Sequence, residues 1–116
     1  MDAASLAKKH REQLSRNTGY LVLSAGREVV LEKSLFVLGA GSEADIQLGG
    51  WFCPRVVAII IRDESGFRLV DVSPKGRSVV INGITKRDTW LNENDQVVFR
   101  DQRMRFHRGL PVGRTG

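Results

Sequence analysis

A chain of 116 residues, 41% hydrophobic and 27% charged, is long enough for one domain with its own apolar core, so no metal or disulfide framework is required. The single cysteine, Cys53, excludes an internal disulfide, and no apolar run reaches the roughly 18 residues of a membrane span. The net charge of +5 suits acidic partners or plain solubility, because much of the excess lies in the two ends, Lys8 to Arg16 and Arg100 to Arg114.

Residues 1–18 read as an appendage. Ala3, Leu6, Ala7 and Leu14 make one weak helical stripe, broken by Ser15, Arg16, Asn17 and Thr18. Lys8, Lys9, His10 and Arg11 are followed by no apolar stretch, unlike a secretory signal. Together with the lone thiol, this favours a cytoplasmic setting. From Gly19 the texture changes. Tyr20 to Leu23 and Glu28 to Leu31 flank Ala25-Gly26-Arg27 and read as a hairpin. Leu35 to Leu38 ends at Gly39-Ala40-Gly41, and Ala44 to Leu48 ends at Gly49-Gly50. Val56 to Ile61 is almost wholly β-branched, as expected of a central strand covered on both faces or of a bulged core strand. In Phe67 to Val72, Phe67, Leu69 and Asp71 alternate against Arg68 and Val70. Val79 to Ile81 runs into Asn82-Gly83, the strongest hairpin signal in the chain. Trp90-Leu91 precedes a polar turn at Asn92 to Asp95, and Gln96 to Arg100 and Met104 to His107 are the last runs. Residues 109–116 read as a tail. About ten short strands at 8–12-residue spacing predict a β-sandwich or barrel over residues 19–108, with no helical crossover for a parallel α/β enzyme.

Catalytic chemistry finds no constellation. His10 lies in the head, His107 ends a strand, and Cys53 stands beside Pro54 with no histidine nearby, which is the setting of a structural thiol. The carboxylates fall mostly in turns, and neither zinc nor calcium spacing occurs, so no metal or cofactor is expected. Three loops carry more. The small residues Gly39, Ala40, Gly41 and Ser42 let backbone amides approach an anion or a peptide. Trp51 to Arg55 offers two aromatics and an arginine, residue types enriched in binding hot spots, although Trp51 and Phe52 also suit a plug for one end of the core. Ser73 to Ser78 holds Lys75, Arg77 and Ser78, which are phosphate donors or plain turn residues.

The segments Phe36-Val37-Leu38-Gly39-Ala40, Pro54-Arg55-Val56-Val57, Phe67 to Ser73, Val80-Ile81-Asn82-Gly83 and Leu91 to Asp95 follow an order that resembles a forkhead-associated (FHA) domain. The resemblance covers roughly Gly19 to Phe106. It implies an all-β, mainly antiparallel sandwich of about eleven strands, SMAD-like, whose loops at one end recognise phosphothreonine peptides. The recognition residues depart from the family's pattern. Ala40 stands at the phosphopeptide-contacting arginine, Pro54 at the phosphate-holding serine and Val57 at the bracing histidine. The Asn-Gly-Thr loop reads Lys75-Gly76-Arg77-Ser78. Each hydrogen bond to a charged group contributes about 1.5–3 kcal/mol, so two lost donors weaken a peptide contact by roughly two to four decades.

These observations predict a non-enzymatic protein-binding module, phosphate-independent, with candidate contacts at Gly39, Ala40, Ser42, Trp51, Arg55, Lys75, Arg77, Ser78 and Asn82. Degenerate members of the family resemble cytoplasmic pieces of bacterial secretion scaffolds. One alternative is an anion pocket rebuilt from Arg55, Lys75, Arg77 and Ser78 for a phosphothreonine peptide. Another is nucleic-acid or anionic-surface binding through Arg100, Arg103, Arg105, Arg108 and Arg114. Strand alternation puts Arg103 and Arg105 on one face, yet stacking aromatics are scarce. A homo-oligomer formed through a strand edge is a further possibility.

Overall fold

The computed structural model describes residues 3–4, 17–49, 53–100 and 102–112. Trp51 and Phe52, most of the 1–18 segment and the end of the tail, with Arg114, lie outside them. Eleven strands form in chain order: β1 (Gly19–Leu23), β2 (Glu28–Val30), β3 (Leu35–Gly39), β4 (Ile46–Gln47), β5 (Ala58–Asp63), β6 (Gly66–Asp71), β7 (Val79–Ile81), β8 (Ile84–Thr85), β9 (Asp88–Trp90), β10 (Gln96–Phe99) and β11 (Gln102–Arg108). They make a six-stranded sheet in the order β2-β1-β11-β10-β7-β8 and a five-stranded sheet in the order β4-β3-β5-β6-β9. All pairings are antiparallel except β3 with β4.

The period-2 pattern of the sequence sets the layers. Phe36 and Leu38 of β3, Ala58 and Ile60 of β5, and Phe67 and Leu69 of β6 turn inward from one sheet. Leu21 of β1, Val97 and Phe99 of β10, and Met104 and Phe106 of β11 meet them from the other. The Phe67 and Phe106 rings join the two sheets with centroids 5.3 Å apart and planes tilted by 59°. Each buried phenylalanine removes about 2–3 kcal/mol worth of apolar surface from water, so this pair anchors the sheets face to face.

Three sequence expectations change in the structure. The run from Val56 enters the sheet only at Ala58. Val56 and Val57 belong to the incoming segment, where the Val57 amide donates to Leu38 O (2.7 Å) and Val57 O accepts from Val72 N (3.0 Å). The Ala44 to Leu48 run pairs at Ile46–Gln47 alone, because the Asp45 carboxylate caps the β3 backbone at Val37 N (2.8 Å) instead of extending the strand. Residues 84–85 and 88–90, too short and polar to show a period, form the edge strands β8 and β9. Asn82-Gly83 makes the expected tight hairpin turn, with φ of 51° and 84°.

One close approach shapes the end of the molecule where β3, β5, β6, β7 and β10 deliver their loops. A Cβ placed on Gly39 would lie 2.0 Å from the carbonyl oxygen of Arg55 and 2.8 Å from Val56 Cα. Only a glycine lets the loop before β5 lie against β3 there. Gly39→Ala is expected to lower unfolding stability by about 1–3 kcal/mol, whereas Gly49→Ala, with open space around it, stays near neutral. Urea melts of the two variants beside the parent check this.

Candidate functional site

Four loops meet at this end. The β3–β4 loop is tied to the segment before β5 by two backbone hydrogen bonds, Ala40 N to Pro54 O (2.9 Å) and Gly41 N to Arg55 O (3.0 Å). Gln47 Nε2 donates to Gly41 O (3.2 Å) from behind. Above the backbone, the exposed Arg55 guanidinium pairs with Glu43 (2.9 Å). The Glu43 carboxyl is held below its ordinary value, first by its own backbone amide and then by Arg55. Because its folded value is depressed, the pair stands at neutral pH and opens as the pH falls through that lowered value.

The β6–β7 loop is built around Asp71. This carboxylate is 4% exposed, on the inward face of β6 where the alternation otherwise places Phe67 and Leu69. One oxygen accepts from Ser73 N (2.9 Å) and Ser73 Oγ (2.5 Å). The other accepts from Ser78 N (2.7 Å) and Val79 N (3.1 Å). Ser78 Oγ in turn donates to Ser73 Oγ (2.9 Å). Both serine hydroxyl protons therefore point down a chain that ends on Asp71. The loop reverses at Gly76, whose φ of 63° a side chain rarely adopts.

Between these loops lies a cleft of about 360 Å³ lined by Pro54, Ser73, Pro74, Lys75, Ser78 and Arg100. Of the sequence candidates it gathers Lys75 and Ser78. Gly39 and Ala40 underlie it through the backbone pairing with Arg55 and Pro54. Ser42 is exposed beside Glu43, at the outer rim of the β3–β4 loop. Arg55 and Arg77 are exposed and line no part of the cleft.

Asn82 is not brought to this group. It sits at the other end of β7, where its side chain bonds Asp95 (2.9 Å) and Gln96 N (2.9 Å) and locks the β7–β8 turn to the turn before β10. Cys53 is half-buried and packs against the core. His107 pairs with Glu93 (2.6 Å) and lies against the Tyr20 ring, far from the cleft along β11.

Sequence reasoning did not place Asp71, Ser73 or Arg100 among the site residues, and it read Pro54 only as the replacement of a phosphate-holding serine. An aspartate at a core parity position, followed two residues later by serine, was the available signal for the first two. Arg100 gave none, because its place at the cleft depends on the β10–β11 turn, where it takes a φ of 58°.

Neither a family model nor a curated protein matches the sequence. Solved structures do match in fold. The FHA domain of the CT664 protein from Chlamydia trachomatis superposes with a TM-score of 0.68 at 20% identity, covering 80% of this chain and 99% of that one. The chain has the FHA fold. Also similar is the FhaA FHA domain complexed with the intracellular domain of Rv3910, at a TM-score of 0.69 and 19% identity over 77% of this chain and 99% of that one. The yeast Dun1 FHA domain, bound to a doubly phosphorylated peptide derived from Rad53, gives a TM-score of 0.60 at 18% identity over 86% and 83% of the two chains.

Removing the Asp71 carboxylate strands three backbone amides and a hydroxyl inside the FHA-fold core. Asp71→Ala is expected to cost about 3–5 kcal/mol of stability. In amide hydrogen exchange the first protections to fail are those of Ser78 and Val79; unchanged protection there would disprove this account of the loop.

Proposed function

We propose that the domain is a non-enzymatic protein–protein interaction module whose loop end receives its partner without phosphate. The observation that carries this reading is the direction of the serine hydroxyls. Ser73 Oγ donates to Asp71, and Ser78 Oγ donates to Ser73. Toward the cleft they present lone pairs, with a carboxylate behind them, and a phosphate needs donors and positive charge. Ala40 and Pro54 add no side-chain donor, and the Arg55 charge is spent on Glu43. The cleft offers instead two proline rings, hydroxyl acceptors and two cationic side chains, a surface for a polar peptide or loop carrying its own donors. The neighbouring FHA structures held with an intracellular domain or a peptide agree with a protein partner. A cytoplasmic setting fits the same reading.

A second reading, a rebuilt phosphopeptide pocket, is favoured by one feature. Lys75 and Arg100 line the same cleft and supply positive charge. In that case Ser78 must turn its proton outward and release Ser73.

Calorimetric titration of matched threonine and phosphothreonine peptide pools separates the readings. The phosphate-independent module gives no more than about threefold preference for the phosphorylated pool, an energy difference under roughly 1 kcal/mol. A preference of about a hundredfold or more that Lys75→Ala abolishes would replace it with the second reading.

A further inference from the structure

The outward face of the six-stranded sheet carries a feature that the loop end does not use. Along β11, Met104 and Phe106 turn into the core, so Arg103 and Arg105 stand together on the outer face. Among the described residues neither has a carboxylate partner. Arg105 donates to the backbone oxygen of Asn94 (2.8 Å), and Arg103 makes no side-chain bond to a described residue. On the same face His107 is paired with Glu93. Two guanidinium groups therefore stand side by side, exposed, on one strand.

They border a shallow depression of about 250 Å³ shared with Val22, Ser24, Gln96 and His107. The strand register extends it. Val22 lies opposite Arg105 on β1, Gln96 lies opposite Arg105 on β10, and Val98 lies opposite Arg103, with Val80 beyond it on β7. Val22, Val80 and Val98 are half-buried. The surface is therefore a cationic pair set in a bed of aliphatic side chains. Ser24 Oγ donates to Arg103 O (3.1 Å) and fixes the backbone beneath the first arginine.

We propose that this face is a second docking site, separate from the loop end, for an extended acidic peptide segment of a protein partner with carboxylates at alternate positions. Arg103 and Arg105 are two residues apart on a strand, about 6.5–7 Å, and alternate side chains of an extended peptide repeat at the same spacing. Carboxylates at i and i+2 meet one guanidinium each, in the planar geometry that arginine provides. The side chains between them point away from the sheet, so the valines meet the backbone and the aliphatic stems of the facing residues. The net charge of +5 steers an acidic segment inward. A nucleic-acid strand fits less well. Among the described residues Tyr20 is the one tyrosine or tryptophan of this face, and its ring lies tilted against His107, so the bases lack an open platform.

The probe is a fluorescein-labelled peptide of alternating Glu and Val, with a Gln-and-Val peptide as its match, followed by fluorescence anisotropy on the whole chain. The Glu peptide is expected to bind about tenfold more tightly than the Gln peptide, with an affinity that falls as salt rises. Arg103→Gln/Arg105→Gln removes that difference, while Lys75→Ala in the loop-end cleft leaves it in place, so failure of one site is distinguishable from failure of the other. Arg103→Glu/Arg105→Glu transfers the preference to a Lys-and-Val peptide. Equal binding of the Glu and Gln peptides, or a DNA oligonucleotide that binds more tightly than the Glu peptide and displaces it, would overturn the proposal.

Discussion

A single buried carboxylate, Asp71, organises the loop end of the molecule, where the proposed binding cleft lies. Asp71 occupies a core position on β6 with no cationic partner among the described residues, and its carboxylate is held by three amides and one hydroxyl. A charge removed from water survives only where fixed dipoles replace the lost hydration. The β6–β7 loop supplies those dipoles, and in doing so it is forced into one shape. That shape decides where Ser73, Lys75 and Ser78 stand, and it turns the hydroxyl protons away from the cleft. The binding character of the site is in this sense a by-product of stabilising one aspartate.

The opposite wall depends on absence instead of charge. With no Cβ at Gly39, the chain before β5 can lie against β3 and exchange backbone hydrogen bonds with Ala40 and Gly41. Pro54 is carried into the cleft by that contact, while the side chain of Arg55 is sent outward to Glu43. Lys33 and Asp45 brace the foot of the same loop, and the Asp45 carboxyl is held low chiefly by the hydrogen bond from Lys33. One wall is thus positioned by the buried Asp71 side chain and the other chiefly by backbone contacts, and the exposed side chains between them remain open to change without loss of fold.

That separation explains what could be read from the sequence. The sandwich was legible because burial alternates along β3, β5, β6, β10 and β11 with the period that a strand dictates, and because Asn82-Gly83 demands one turn type. The edges were not. β8 and β9 are stabilised by their neighbours, Val80 with Thr85 and Val70 with Asp88, and a pairing partner leaves no mark on a two- or three-residue segment. In the site, Lys75 and Ser78 were found from their chemistry and do share the cleft. Arg55, Arg77 and Asn82 were chosen on the same grounds, but side-chain type does not reveal direction. Glu43 draws Arg55 aside, and Asn82 serves Asp95 at the far end of β7.

In the proposed function, a hydroxyl chain ending on Asp71 leaves the cleft unable to select phosphate. The most direct test is amide-resolved NMR of the chain while free phosphothreonine is added against a threonine background at constant ionic strength. The account predicts that the amides of Ser73, Lys75, Gly76 and Ser78 show no saturable shift beyond that seen with threonine. Saturable movement of those amides with phosphothreonine alone would contradict it and would mean that Ser78 turns outward to meet the anion.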